Sequence, residues 1–197
     1  MIKAGEDVLR VKDLHVVFQT EEGLLTAAAG VNLVVKAGEV MSVVGESGCG
    51  KSVLAETILR LIPEPPGRIT RGEINFNSSQ FGWLDLARQD RKGGRMRAIR
   101  GNEISMIFQE PMTSLNPVYT VGNQIIEAIC LHQNLSPRDA RTLAIDMLRE
   151  ANIPLPEQRV DEYPHHMSGG MRQRVMIAMA LACQPQILIA DEPTTAL

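Results

Sequence analysis

Residues 45–52 read Gly45-Glu46-Ser47-Gly48-Cys49-Gly50-Lys51-Ser52, and this stretch decides the fold. Its spacing, G-x-x-x-x-G-K-[ST], is that of a phosphate-binding loop. The apolar run Val40–Val44 before it predicts a buried strand, and Val53–Leu61 after it predicts a helix. Such a strand–loop–helix unit directs backbone N–H groups and the positive end of the helix dipole at one anion. The motif predicts that Lys51 contacts the outer phosphates of a nucleotide and that Ser52 ligates Mg²⁺.

The composition is that of a globular protein in a reducing compartment. The 197 residues suffice for one domain with an inserted lobe, and 44% of them are apolar. Three scattered cysteines favour free thiols over a disulfide framework. A net charge of −3 and 4% aromatic residues argue against a nucleic-acid-binding surface. No signal peptide or membrane span is expected, so any work at a membrane requires another subunit to span it.

The first forty residues predict β structure. Val8–Phe18 alternates and is rich in valine, and Leu24–Val35 predicts a second strand pair broken near Gly30. Glu73–Phe76 predicts a further short strand. The ring of Phe18 could stack on an adenine face or be an ordinary core side chain, and the sequence leaves both open.

A basic run occupies residues 85–100, with six Arg and Lys residues against two Asp residues. Without interleaved aromatic residues, it favours a solvated loop and surface helix over a nucleic-acid site.

A helical lobe is predicted to interrupt the α/β core. Ile104–Phe108 is an apolar strand that ends at Gln109, and Val121–Gln133 has the pattern of a helix. Ser136, followed by proline and then an acid, predicts the start of another helix. Residues from about 112 to 165 therefore form a lobe between core strands.

Two further motifs carry candidate chemistry. Ser168-Gly169-Gly170 begins the predicted helix 171–183, which fits either an anion site or simple N-capping by Ser168. Ile187–Ala190 predicts a buried strand that ends in Asp191-Glu192. Asp191 is suited to hold Mg²⁺, and Glu192 is suited to polarise an attacking water.

The order of these motifs resembles that of the ATP-binding-cassette (ABC) ATPases. Within that family, residues 107–117 resemble the ATP-binding subunits of dipeptide, oligopeptide and nickel importers, and residues 163–180 resemble the ATP-binding proteins of glutathione importers. The resemblance implies an α/β P-loop NTPase (RecA-like) core with an N-terminal antiparallel β-subdomain and an inserted α-helical subdomain. The core is expected at 1–111 and 168–197, and the helical subdomain at 112–167. Because the sequence stops at Leu197, before the family's next Asp and its switch His, we expect the core to be truncated before its last elements.

The resemblance also implies ATP and Mg²⁺ as cofactors and a role for each motif. Phe18 stacks on adenine, and residues 45–52 hold the β- and γ-phosphates. Ser52, Gln109 and Asp191 surround Mg²⁺, and Glu192 is the general base. Ser168, Gly169 and Gly170 face the γ-phosphate of a second cassette.

The partners implied by the resemblance are two transmembrane permease subunits, a second cassette and, indirectly, a periplasmic solute-binding protein, but no nucleic acid. The permeases would receive the Gln109 loop and the helical lobe. The implied location is peripheral, on the cytoplasmic face of the inner membrane, and the implied activity is ATP hydrolysis driving peptide-type import. The resemblance also predicts that these 197 residues alone hydrolyse ATP poorly.

Two other functions are compatible with a phosphate loop. A chromosome-maintenance ATPase would insert long coiled coils between Gln109 and Ser168, but sustained heptads are absent there. A non-catalytic interaction module is disfavoured because each catalytic position present holds a competent residue.

Overall fold

The structure, a computed structural model, describes residues 3–109 and 114–192. The chain divides into two compact units, Met1–Arg100 and Gly101–Leu197. Residues 110–113 and 193–197, which include part of the importer-like stretch and the predicted domain boundary at 111/112, lie outside the described residues.

The first unit is built on an antiparallel sheet of four strands in the order β2-β1-β3-β4. Alternate residues of β1 are buried, as the predicted pattern requires, and Phe76 of β3 packs with them. The antiparallel β-subdomain predicted from the family resemblance is thus present. Its strands are β1 (Asp7–Thr20), β2 (Gly23–Lys36), β3 (Gly67–Ser78) and β4 (Gly82–Asp85).

A line of bulges crosses three of these strands. Asp13, Gly30 and Gly72 have φ values of 48°, 70° and 101°, and the pairing register shifts beside them. A Cβ at Gly72 would lie 2.5 Å from the carbonyl oxygen of Asp13, so only glycine fits there. The predicted break near Gly30 is therefore a bulge inside one strand, and the expectation of two strands between Leu24 and Val35 is wrong.

The first helix, α1 (Lys51–Ile58), begins two residues earlier than the pattern predicts. The carbonyls just after it accept hydrogen bonds from the basic run. Arg100 donates to the Leu59 oxygen at 2.8 Å and to the Arg60 oxygen at 2.9 Å, and Arg91 donates to the latter at 3.2 Å. These arginines satisfy groups that every helix C-terminus leaves open.

The surface helix predicted within residues 85–100 is confirmed, and one of its faces is packed against the protein. Helix α2 (Gly94–Ile99) does form, but Met96 and Ile99 are fully buried. Burial, together with the charges of Arg91 and Arg60, lowers the pKa of Arg100. The alternation of basic and apolar residues is that of a helix with one buried face. A count of charges alone does not reveal the buried face.

The predicted strand Val40–Val44 does not form. No strand lies between β2 and α1, and the side chains of Val40 and Val44 are 94% and 91% exposed. An apolar run becomes a strand only where a neighbour supplies hydrogen-bond partners. Among the described residues no strand pairs with this run, and that is the physical reason for the difference.

The second unit has a two-stranded parallel sheet covered by helices. Strand β5 (Ile104–Ile107) pairs with β6 (Ile187–Ala190), with Ile104 opposite Ile187. Side chains of the helices form a single core with Ile107. These helices are α3 (Val121–His132), α4 (Pro137–Glu150) and α6 (Gly169–Leu181). The single turn α5 (Pro156–Arg159) lies between α4 and α6 in the chain.

Strand β6 is present as predicted, but it is not buried. Its residues alternate between half-buried and exposed, and Leu188 is 39% exposed. In the described part of the chain β6 has a neighbour on one edge only, so its outward side chains remain uncovered.

The predicted helix starts of the lobe are confirmed. The hydroxyls of Thr120 and Ser136 accept from the backbone N–H groups of Asn123 and Asp139, at 3.2 Å in both cases. The predicted limits 112–167 of the lobe remain a proposal, because α6 shares its core. Within the described ranges, no helix is long and apolar enough to cross a membrane.

Candidate nucleotide-binding site

The phosphate loop holds its shape through two glycines in left-handed conformations. Gly48 has φ 79° and Gly50 has φ 98°, and Gly50 is the N-cap of α1. A Cβ at Gly50 would lie 2.2 Å from the carbonyl oxygen of Ala27 on β2, whereas a Cβ at Gly48 would meet nothing within 4 Å. The loop is therefore closely packed on one side and open on the other. The open side can admit an anion to the loop amides.

Lys51 lies over this loop. Its ammonium donates to the carbonyl oxygens of Gly45 and Glu46 at 2.9 and 2.8 Å and lies 4.0 Å from the Cys49 sulfur. A full positive charge is thus held beside exposed backbone carbonyl groups. These groups fit an anionic phosphate, which would bind the ammonium more strongly than carbonyls do.

Other loop residues fit the same ligand. Glu46, Ser47 and Cys49 are exposed. A Cβ at Gly45 would lie 2.6 Å from the Cys49 sulfur, so Gly45 allows the loop to close on that side chain. Ser52, on the first turn of α1, is half-buried, and its hydroxyl has no partner among the described residues. It is therefore available as a metal ligand.

Phe18 lies near the same end of the sheet. It pairs with Leu25 on β2, two residues from the Ala27 carbonyl that Gly50 approaches. The ring is half-buried, and a Cβ on Gly67 would lie 2.8 Å from it. Phe18 thus packs on the sheet and keeps part of its surface free, which is compatible with both predicted roles.

The second unit brings the predicted catalytic side chains together. Gln109 Nε2 donates to Glu192 Oε2 at 2.8 Å, although 83 residues separate them. The parallel pairing of β5 with β6 explains this, because parallel strands end at the same edge. The Asp191 N–H extends the ladder to the Ile107 oxygen at 3.0 Å, and its carboxylate has no partner in the described part of the chain. Glu192 has φ 46°, in the left-handed region.

Ser168 is the N-cap of α6. Its hydroxyl accepts from the Met171 N–H at 3.3 Å, so the capping interpretation is confirmed. A Cβ at Gly169 or Gly170 would meet nothing within 4 Å. This helix start is therefore open to a ligand while Ser168 caps it.

The predicted residues fall into two groups, each in its own unit. Phe18 and residues 45–52 belong to the first unit, and Gln109, Ser168–Gly170, Asp191 and Glu192 belong to the second. The sequence did not indicate Ala27, because it contributes only a carbonyl group. Nor could it indicate the Gln109–Glu192 hydrogen bond, which depends on strand pairing.

Comparisons with known proteins agree on one family. Residues 28–195 match the sequence model described as ABC transporter. The chain is 53% identical over 190 residues to the probable peptide ABC transporter ATP-binding protein y4tR of Sinorhizobium fredii, covering 96% of this chain and 55% of that protein. It is 51% identical to the oligopeptide transport ATP-binding protein OppD of Bacillus subtilis, covering 96% and 51%. It is 49% identical to the glutathione import ATP-binding protein GsiA of Salmonella paratyphi A, covering 98% and 31%.

The chain thus spans about half the length of the first two of these relatives, and less of the third. Among solved structures, the dimeric ATP-binding cassette MJ0796 in a post-hydrolysis state, bound to ADP and Pi, matches with a TM-score of 0.82 and 29% identity. That match covers 96% of this chain and 75% of the other.

Proposed function

The chain belongs to the ABC transporter family, and from this premise we propose that it is the ATP-binding and ATP-hydrolysing part of a peptide importer. The observation that carries the proposal is the phosphate loop, where Gly50 caps α1 in a left-handed conformation and the Lys51 ammonium lies over open backbone. The names of the relatives, which mention peptides, oligopeptides and glutathione, support a cargo of this class. Identities of 53%, 51% and 49% do not distinguish between these cargoes.

ATP binding would use the first unit. The loop amides and Lys51 hold the β- and γ-phosphates, and the half-buried face of Phe18 offers a surface on which adenine can stack. Mg²⁺, when bound, offsets the negative charge on the phosphate oxygens. Ser52, Gln109 and Asp191 would hold it, since a hydroxyl, an amide and a carboxylate are all oxygen donors.

Hydrolysis would use Glu192. A water oxygen attacks the γ-phosphorus as the bond to the β–γ bridging oxygen breaks, and the water proton passes to the Glu192 carboxylate. In the structure one oxygen of that carboxylate accepts from Gln109. Gln109 therefore orients the base through its amide nitrogen, and its amide oxygen stays available as a ligand for Mg²⁺.

A second cassette would complete the site. Ser168, Gly169 and Gly170 lie at an open helix N-terminus, which can face the γ-phosphate held by another copy or a related chain. We further propose two membrane-spanning permeases and a solute-binding protein as partners. The cassette would lie on the cytoplasmic face of the membrane.

The short lobe favours a transporter over a DNA-clamping ATPase. Between Gln109 and Ser168, the described helices α3, α4 and α5 contain 12, 14 and 4 residues. None approaches the length of a coiled-coil arm.

Replacement of Glu192 tests the proposed mechanism. In the full-length protein assembled with its permeases, we expect Glu192→Gln to lower steady ATP turnover by about 10²–10⁴-fold or more, because the general base is lost. ATP binding, measured by fluorescence titration, should persist. Lys51→Ala is the matched variant, and it should weaken binding itself. If Glu192→Gln turned over ATP at the parental rate, Glu192 would not be the base.

Transport assays then identify the cargo class. Proteoliposomes that contain the complete importer should accumulate labelled dipeptide, oligopeptide or glutathione only when ATP is present in the vesicle lumen, on the side that corresponds to the cytoplasm. If none of the three were accumulated while ATP was hydrolysed, the peptide assignment would fail and the ATPase assignment would stand.

A further inference from the structure

We propose that the first unit carries an anion-binding site outside the phosphate loop, suited to a compact ligand bearing two or more phosphate charges. The site is a cleft of about 370 Å³, here called the arginine cleft. None of its lining residues belongs to the loop 45–52. Its charged lining consists of Arg60, Arg68, Arg71, Arg88 and a single acid, Glu64.

Arg60 is the buried member of the cleft. Only 8% of the residue is exposed, and its Nε has no hydrogen-bond partner within the described ranges. Its terminal nitrogens lie 2.9 and 3.4 Å from the Glu64 carboxylate. Its backbone has φ 54°, a conformation that is unfavourable for a residue with a side chain. A guanidinium with one buried, unsatisfied nitrogen thus lies at the wall of the cleft, and an anion there would contact its terminal nitrogens beside Glu64.

The other three arginines are exposed and oriented to different degrees. The Nε of Arg71 lies 2.7 Å from Asp13, and the Nε of Arg88 lies 3.1 Å from Asp85. Because these contacts involve the inner nitrogen, the terminal amino groups of both side chains are left as donors for a ligand. The side chain of Arg68 has neither an ion pair nor a hydrogen bond in the part of the chain that the structure describes.

A second cleft of about 240 Å³ continues this basic surface. It shares Arg71, Gly72 and Arg88 with the first cleft and adds one base, Lys12, and two acids, Asp13 and Glu73. Gly72 lines both clefts, and its close approach to Asp13 fixes the strand that carries Arg71.

The lining decides the class of ligand. Four guanidinium groups line the cleft, and arginine binds phosphate through two parallel hydrogen bonds. Three of the four already contact a carboxylate, of Glu64, Asp13 or Asp85, so phosphate would bind through the terminal amino groups that these contacts leave. The cleft is lined by no aromatic ring, so it has no platform for a nucleotide base. The ligand is thus a small phosphate-bearing group, either free in solution or the headgroup of an anionic lipid.

Inorganic pyrophosphate is the probe for a free ligand. The phosphate loop would also bind pyrophosphate, so the protein carries Lys51→Ala to weaken that site. Binding to the full-length variant is then measured by calorimetry. We expect a Kd below about 1 mM, and binding at least tenfold weaker when Arg68→Glu and Arg88→Glu are added. Arg95→Glu with Arg97→Glu is the matched control, since it makes the same charge change on exposed α2 positions outside the cleft. Equal weakening in the control pair would overturn the site.

Folding of the cleft variant is checked separately. With Lys51 intact, Arg68→Glu/Arg88→Glu should bind ATP with parental affinity, because neither residue belongs to the loop.

Vesicles of phosphatidylglycerol and of phosphatidylcholine distinguish the two sources of phosphate. Cosedimentation with the former that requires Arg68 and Arg88 supports a lipid headgroup, and pyrophosphate binding alone supports a free anion. If neither probe bound in a manner dependent on these arginines, the proposal would be wrong.

Discussion

At the scale of single residues, the two left-handed glycines of the phosphate loop differ in their surroundings. Gly48 faces open space, whereas Gly50 touches the Ala27 carbonyl. The motif pattern contains both positions, but only the second contributes to the packing between α1 and β2. Gly48 is therefore required only for its left-handed conformation, whereas Gly50 is required both for its conformation and for the lack of space for a side chain.

Alanine substitutions should reveal that difference. Gly48→Ala should cost about 1–2 kcal/mol, since only the left-handed conformation is penalised. Gly50→Ala carries the same cost and must also displace β2, so its thermal midpoint should fall further and its affinity for ATP should drop about tenfold or more. Thermal unfolding measures the midpoint of each variant, and nucleotide titration measures its affinity for ATP. Equal effects of the two substitutions would contradict the packing argument.

The three cysteines provide a second prediction at this scale. Cys49 and Cys130 are exposed, whereas burial raises the pKa of the half-buried Cys183, a shift that a hydrogen bond with Gln133 opposes. A raised pKa leaves less thiolate near neutral pH, so Cys183 should react most slowly with a maleimide. ATP should slow the labelling of Cys49 and leave that of Cys130 unchanged, as measured by peptide mass spectrometry. Equal labelling of Cys49 with and without ATP would argue against the phosphate loop.

At the scale of elements, helix starts carry both stability and chemistry. Ser136 and Ser168 make the same N-cap, with distances of 3.2 and 3.3 Å to the third helical N–H. The two helices differ in the residues after the cap. Proline occupies the first position of α4, whereas two glycines leave the start of α6 open.

This pair is a natural matched control. Ser136→Ala and Ser168→Ala should each destabilise the protein by about 1 kcal/mol, because each removes a cap. Only Ser168→Ala should also lower ATP turnover in the assembled importer, since its hydroxyl is proposed to face the γ-phosphate. Chemical denaturation and ATPase assays separate the two effects. If Ser168→Ala hydrolysed ATP at the parental rate, Ser168 would act only as a helix cap.

At the scale of the whole molecule, the proposed metal ligands come from distant parts of the chain. Ser52 belongs to the first unit, and Gln109 and Asp191 belong to the second. Their role as Mg²⁺ ligands is a proposal that each side chain tests separately.

Manganese can report on the proposed metal ligands. Mn²⁺ bound with ATP, measured by electron paramagnetic resonance, should be weakened by Ser52→Ala and by Asp191→Asn, because each removes one oxygen ligand. Asp139→Asn, at an exposed position of α4, should leave Mn²⁺ binding unchanged. If Asp191→Asn bound Mn²⁺–ATP as the parent does, the two motifs would not share a ligand.

The sequence by itself determined the parts of this protein that depend on local chemistry. The phosphate loop, the caps at Ser136 and Ser168 and the acids after Ile187–Ala190 are readable because glycine conformation, capping and apolar runs are properties of neighbouring residues. The family and its α/β class are indicated by the order of these motifs. Individual site roles remain proposals.

Only the tertiary structure decided the features that need distant partners. Val40–Val44 has a strand-like sequence but no neighbour to pair with among the described residues, and Arg100 occurs in a basic run yet binds the carbonyls just after α1. The Gln109–Glu192 contact and the arginine cleft likewise join residues far apart in the chain. Hydrogen-bond partners and burial are set by packing across the fold, and no local pattern specifies them.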